Sequence, residues 1–264
     1  MSNSKICMFC GKNGGNEEHI VGKWILRDLD LYKTKTKIGF GLQRKTGEMD
    51  EIEAPQPLGS FKTDSVCETC NNTWMSQLEN QVKPILTPLL QVPWPANDKP
   101  LFQSLFLHSA VITRWLIKTA CTFGEKMSVA VPKDIKMELF KGRIRSGIRA
   151  DFSCNAECGA YIGISRSWNC YIDEKIEVRE LPARSFRFIW QLRHLAMRVS
   201  YFHDFEPFMT RPRHPVKLYP RFRIPPDYDL NGVAKRSYYY ETLEQLEHET
   251  TYAPPDPHSA TCRQ

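Results

Sequence analysis

Two Cys-x-x-Cys pairs, Cys7/Cys10 and Cys67/Cys70, constrain this chain more than any other feature. A Cys-x-x-Cys turn presents two thiolates to one ion, and a structural zinc wants four ligands in a tetrahedron. Two such turns close the shell, so the pattern predicts one structural Zn²⁺ held by Cys7, Cys10, Cys67 and Cys70. The 56 residues between the pairs are far more than a compact zinc ribbon needs, so a further structure is expected between the two halves. The chain has nine cysteines, an odd number, and no apolar leader precedes the first of them. Metal-binding thiols in a soluble cytoplasmic protein are therefore expected, not a disulfide framework.

Hydrophobic periodicity outlines the rest. Lys23–Leu31 reads as a short helix, and Lys33–Glu53 alternates around Gly39, Gly41 and Gly47 as a hairpin would. From Trp74 the apolar residues Leu78, Val82, Ile85, Leu86 and Leu89 recur at spacings of three and four. That helix is expected to end or kink near Pro84 and Pro88. The stretch Leu101–Phe123 is the most apolar in the chain, but His108, Arg114 and Lys118 interrupt it, so it reads as a buried helix and not a membrane span. Lys133–Lys141 follows Pro132 as a further helix, and Tyr161–Ile172 and Lys175–Leu181 read as strands. Phe186–Leu192 and Leu195–Tyr201 alternate out of phase, which predicts a bulged strand or two strands with the slip at His194. A helix over Gln191–Met197 is the competing reading. The Pro-rich stretch 92–100 marks a boundary between a zinc-bearing module (1–91) and a larger mixed α+β domain that selects substrate (92–251), with a disordered tail at 252–264.

Between the cysteine pairs stands Glu17-Glu18-His19-Ile20, and directly after the second pair stand Asn71 and Asn72. The pattern CMFC–EEHI–CETCNN resembles the zinc-bearing HNH, or ββα-metal, endonucleases, including phage nucleases that resolve Holliday junctions. The resemblance covers residues 1–80 and implies an α+β fold, with a zinc-stapled ββα-metal module carrying an insertion. It also implies that Glu18 ligates a catalytic Mg²⁺ or Mn²⁺, that His19 is the general base on the attacking water, and that Asn71 gives the second metal contact or fixes the histidine loop. Glu17 and Asn72 stand as alternative ligands if the register moves by one. Two departures are present: Glu18 occupies a position where the family more often has Asp, and the gap from His19 to Asn71 is longer than in minimal members.

Those residue types suit phosphodiester cleavage, since a divalent cation neutralises phosphate charge through hard oxygen ligands and a neutral imidazole takes a proton near pH 7. The expected activity is hydrolysis of nucleic acid, DNA ahead of RNA. The alternatives are a zinc-stapled nucleic-acid-binding module without cleavage, and a protein in which zinc only folds the N-terminus. A net charge of +6 biases the chain toward polyanions without requiring one. From Arg184 to Arg223 nine Lys and Arg stand against two acids, with Trp190, Tyr201, Phe202, Tyr219 and Phe222 among them. Two readings stay open for that stretch: a phosphate-tracking, base-stacking surface, or core aromatics with solvated charges on the other face. Lys12, Lys23 and Arg27 are expected phosphate contacts from their position near the first cysteine pair, whereas Cys154, Cys158 and Cys170 read as buried, inert thiols.

Overall fold

The computed structural model describes residues 5–43, 49–51, 56–91, 104–129, 131–165, 167–172, 175–180, 185–201 and 216–219. Strand β1 (Asn16–His19) pairs antiparallel with β5 (Lys62–Val66), and β5 runs directly into the second cysteine pair. Between these strands lie α1 (Lys23–Asp28), β2 (Lys35–Gln43), β3 (Met49–Glu51) and β4 (Gln56–Pro57). The expected helix at Lys23 and the expected hairpin are both present, as α1 and as the antiparallel pair β2–β3. Residue Gly47 lies outside the described residues.

After Cys67 the chain forms α2 (Glu68–Cys70), a π-helical turn (Asn71–Met75) and α3 (Ser76–Gln91). The helix carries on through Pro84 and Pro88, where a stop or kink is expected from the sequence. Each proline costs about 3 kcal/mol inside a helix. Against that, Leu78, Val82, Ile85, Leu86, Leu89 and Leu90 are all buried, each contributing about 1.5–3 kcal/mol as an upper estimate. Burial wins, and it is helped by where the prolines sit: Pro84 is exposed and Pro88 half-exposed, so neither takes a place on the buried face.

The apolar stretch becomes α4 (Ser109–Lys126), preceded by a helical turn at 104–107. From Trp115 to Gly124 every residue of α4 is buried, as expected of a helix that is hydrophobic all round and sits inside a protein. No helix among the described residues is long and apolar enough to cross a membrane. Helix α5 (Lys133–Phe140) follows Pro132. Strands β6 (Ile148–Ser165) and β9 (Phe186–Tyr201) then pair antiparallel along their whole length. Strand β2 joins β6 in parallel, from Lys37↔Tyr161 to Gly41↔Ser165, and β10 (Val216–Tyr219) pairs with the other end of β6. The expected strand at 161–172 is present on both sides of residue 166, which lies outside the described residues: β6 pairs with β9 as far as Ser165, and β7 (Ser167–Ile172) pairs with β8 (Lys175–Glu180).

The phase slip falls inside one strand, β9, and the extra residues of the irregularity opposite it, 155–158, belong to β6. The register of β6 and β9 shifts between Cys154 and Gly159, and Arg193 takes the left-handed φ of +53°. The Arg193 guanidinium donates to Leu90 O at 3.0 Å, satisfying a carbonyl at the C-terminal end of α3. Within residues 185–201 of the basic stretch the aromatics are core, with Trp190 packed edge-on against Trp115 at 5.3 Å and Tyr201 buried, but the charges do not all face solvent as the core reading expected, because Arg187 and Arg198 are buried too. Arg198 donates to Asp151 Oδ2 through Nη2 at 2.7 Å and through Nε at 3.1 Å. The side chains of Cys154, Cys158 and Cys170, the tail 252–264 and the remaining basic residues of that stretch (Arg184, Arg211, Arg213, Arg221, Arg223 and the side chain of Lys217) lie outside the described residues. One continuous hydrophobic cluster runs from Cys7 to Tyr201, so core residues before and after 92 pack together.

Candidate functional site

The four cysteines meet because the first pair is hydrogen-bonded onto the strand that leads to the second. Cys7 N donates to Lys12 O at 2.7 Å and Gly11 N to Cys7 O at 3.0 Å, closing a tight turn in which Gly11 has a φ of +75°. This turn docks on β5 through Met8 N to Ser65 O (2.9 Å) and Gly15 N to Asp64 O (2.8 Å), and an ion pair joins Lys5 to Asp64. The long intervening segment leaves at the end of β1 and returns at β5, so its length does not separate the halves.

At the second pair Cys70 N donates to Cys67 Sγ at 3.4 Å. All four Sγ atoms lie within 4.8 Å of one another, with Cys10 and Cys67 3.5 Å apart. Zinc–sulfur bonds of about 2.3 Å in a tetrahedron put sulfurs about 3.8 Å apart, so the cluster fits one ion such as zinc. Burial pushes the Cys7 thiol up, but backbone N–H groups of Cys10, Phe9 and Cys67 outweigh it and bring it to about 7. Burial raises Cys10 and Cys70 instead. Four crowded thiols of this kind ionise together only around a cation. Phe9 is fully buried beside them and meets Trp74 edge-on at 5.0 Å.

Glu18 and His19 are consecutive on β1 and therefore leave the strand on opposite faces. Glu18 turns inward. Its Oε1 accepts a hydrogen bond from Lys118 Nζ at 2.7 Å, and the same ammonium donates to Glu79 Oε1 at 2.8 Å. Lys118 is 0% exposed, in the middle of α4. Burial alone would discharge it, but the charges of Glu18 and Glu79 prevail and hold its pKa above the ordinary lysine value. The approach of Glu79 requires Gly22: a β-carbon there would stand 2.5 Å from Glu79 Oε2 and 2.8 Å from Trp24 Nε1.

His19 is 8% exposed, and its Nδ1 is buried with no hydrogen-bond partner among the described residues. Lys62 stands opposite it in the β1–β5 register. Burial first, and then the charges of Lys23 and Lys62, lower its pKa below the ordinary histidine value, so the ring is neutral at pH 7. Glu17 is exposed and pairs with Lys62 at 3.0 Å. Lys12 and Lys23 are exposed, and Arg27 pairs with Asp28 at 3.0 Å. Asn71 is half-buried and opens the π turn, its N–H donating to Cys67 O at 3.0 Å. Asn72 is exposed, with Nδ2 donating to Glu68 Oε1 at 3.5 Å. Among the described residues the four cysteines alone form a group of three or more His, Cys, Asp or Glu close enough to hold a metal ion.

Lys118 and Glu79 were not legible as site residues. Their signals were faint: one cation in the centre of an apolar helix, and one acid beside the buried stripe of α3. Comparison with protein-family models, with curated proteins and with solved structures gives no match to this chain. The class that fold and site define is a mixed α+β protein with a four-cysteine centre suited to a structural metal.

Proposed function

We propose that this protein is an HNH-type endonuclease, hydrolysing nucleic-acid phosphodiester bonds with His19 as the general base. The observation that carries the reading is the arrangement around the zinc-type cluster. A strand ending in Glu18-His19 pairs with a strand that runs straight through Cys67 and Cys70 into the helix bearing Asn71. The register shift between β1 and β5, where Asp64 and Ser65 stand against the single residue Glu17, and the π turn at Asn71 are local irregularities of the kind that re-aim side chains at functional sites. A buried, neutral imidazole with an unpartnered Nδ1 suits a group that must accept a proton from water. Lys62 and Lys23 beside it give positive charge for a phosphate.

In this reading the four-cysteine zinc is structural, because its coordination shell is full. Asn71 offers an amide oxygen to a catalytic Mg²⁺ or Mn²⁺, which when bound neutralises charge on the scissile phosphate. DNA is the first substrate to test. The deciding experiment incubates plasmid, single-stranded DNA and RNA with the protein and Mg²⁺ or Mn²⁺, then with EDTA, in parallel with His19→Ala. Cleavage by the parent and its loss in His19→Ala are expected; equal cleavage by both removes His19 from the chemistry. One observation favours a second reading, a zinc-stapled nucleic-acid-binding module without cleavage: the carboxylate of Glu18 is already engaged by Lys118. Binding of nucleic acid without cleavage of any substrate selects it.

A further inference from the structure

We propose that the ammonium of Lys118 is the permanent counter-ion of Glu18, standing where the nuclease pattern would put a divalent cation, so that Glu18 is a positioning residue and not a metal ligand. The proposal takes from the nuclease reading only the expectation of a cation at Glu18. Three observations carry it. The Lys118 ammonium lies 2.7 Å from Glu18 and 2.8 Å from Glu79, so it already gathers two carboxylates, the donors a hard divalent ion would take. Its position is fixed: Lys118 is 0% exposed, and its neighbours along α4 from Trp115 to Gly124 are buried too. Withdrawing the ammonium would leave two carboxylates in the interior without a cation, an arrangement proteins avoid.

The third observation is spatial. An Mg²⁺ ion binds carboxylate oxygen at about 2.0–2.1 Å. On the oxygen that already faces Lys118, ion and ammonium would be roughly 4 Å apart in a water-poor interior, where like charges repel strongly. The structure offers no third acid to balance them there: among the described residues only the four cysteines gather as a metal-binding group. Glu18 therefore spends its charge on Lys118, and what it contributes to the neighbouring His19 is the fixed depth and twist of the β1 strand.

The test is a titration of the zinc-loaded protein with Mn²⁺ alone, followed by the electron paramagnetic resonance of free Mn²⁺ and by the thermal midpoint. Zinc content and circular dichroism report the fold. The Glu18→Gln protein is expected to give the same Mn²⁺ isotherm as the parent, whether or not the parent takes up the ion elsewhere. The Lys118→Ala protein, which empties the place of the ammonium, is expected to gain a Mn²⁺ site and to be thermally stabilised by Mn²⁺ where the parent is not; Glu18→Gln in that background should remove the gain. A tenfold or greater loss of Mn²⁺ affinity in Glu18→Gln alone overturns the proposal, as does a folded Lys118→Ala protein that takes up no Mn²⁺. If Lys118→Ala does not fold, the Glu18→Gln comparison decides by itself. No nucleic acid is present, so the result is independent of whether the chain cuts.

Discussion

Replacing Lys118 by Met keeps the length of the stem and removes only the ammonium, leaving Glu18 and Glu79 facing an apolar side chain. Both carboxylates hold Lys118 at hydrogen-bond distance, 2.7 and 2.8 Å, and the cation has no access to water. Breaking a buried ion pair by removing one partner costs about 3–5 kcal/mol, chiefly because the surviving charge stays buried and uncompensated. Here the two survivors are 11% and 16% exposed at the side chain, so some of that penalty is relieved by water, and the lower half of the range is expected. For a chain of this size about 3 kcal/mol corresponds to roughly a 6–12 °C fall in the thermal midpoint. Glu18→Gln should cost less, about 1–2 kcal/mol, because Glu79 still neutralises the ammonium. The discriminating construction is the triple variant Lys118→Met, Glu18→Gln, Glu79→Gln. With no charge left to strand it should recover most of the loss, so the single-site costs must be strongly non-additive. Urea unfolding followed by the fluorescence of buried Trp115 and Trp190, at low and at high salt, measures all of this. A Lys118→Met protein that loses under about 1 kcal/mol, or single-site costs that simply add, would refute the account of the triad.

Further outcomes are expected. His19→Ala should lower cleavage by about 10²- to 10⁴-fold while zinc content and stability are kept; loss of zinc in that variant would make His19 a structural residue. Cys67→Ser should release the metal and unfold the β1–β5 unit, since binding and folding are coupled at such a centre, and elemental analysis with circular dichroism reads both. Because burial and the charges of Lys23 and Lys62 lower the His19 pKa, the acid limb of a cleavage profile should fall below the ordinary 6.5. As pH drops through 6.5 the unfolded chain takes a proton that folded His19 refuses, so stability should fall there in the parent but not in His19→Gln; identical pH–stability curves would contradict this. Gly22→Ala should push Glu79 off Lys118 and press on buried Trp24, because its methyl would sit 2.5 Å from Glu79 Oε2 and 2.8 Å from Trp24 Nε1, so in urea unfolding it should cost at least as much stability as Glu79→Gln.

What the sequence made legible follows a physical division. The cysteine cluster could be read because two short turns of fixed chemistry announce it, and the structure brings all four sulfurs within 4.8 Å. The hairpin, the helix after Pro132 and the phase slip within β9 could be read because periodicities of two and 3.6 residues survive in a linear string. The run of α3 through Pro84 and Pro88 was not legible, since local propensity argues against it and only the six side chains it buries decide otherwise. The aromatics among the arginines were ambiguous for a similar reason. Whether Trp190 meets a base or Trp115 depends on which face of β9 is covered, and pattern alone does not carry that. Least legible of all was the partner of Glu18, one hundred positions away in sequence.

That distance has a consequence for how the two parts of the chain depend on each other. Glu18 belongs to the strand next to the zinc-type cluster, whereas Lys118 belongs to a helix beyond the Pro-rich stretch at 92–100. Strand β2, inserted between β1 and β5, extends the same dependence by pairing with β6. The first part thus cannot satisfy its own inward-facing acid, and the second part cannot satisfy its own buried cation. Packing the two parts together takes these charges out of water, and the same packing brings each the partner that offsets the cost. The Lys118 ammonium thus ties the strand that carries His19 to α4, and through Glu79 to α3 as well.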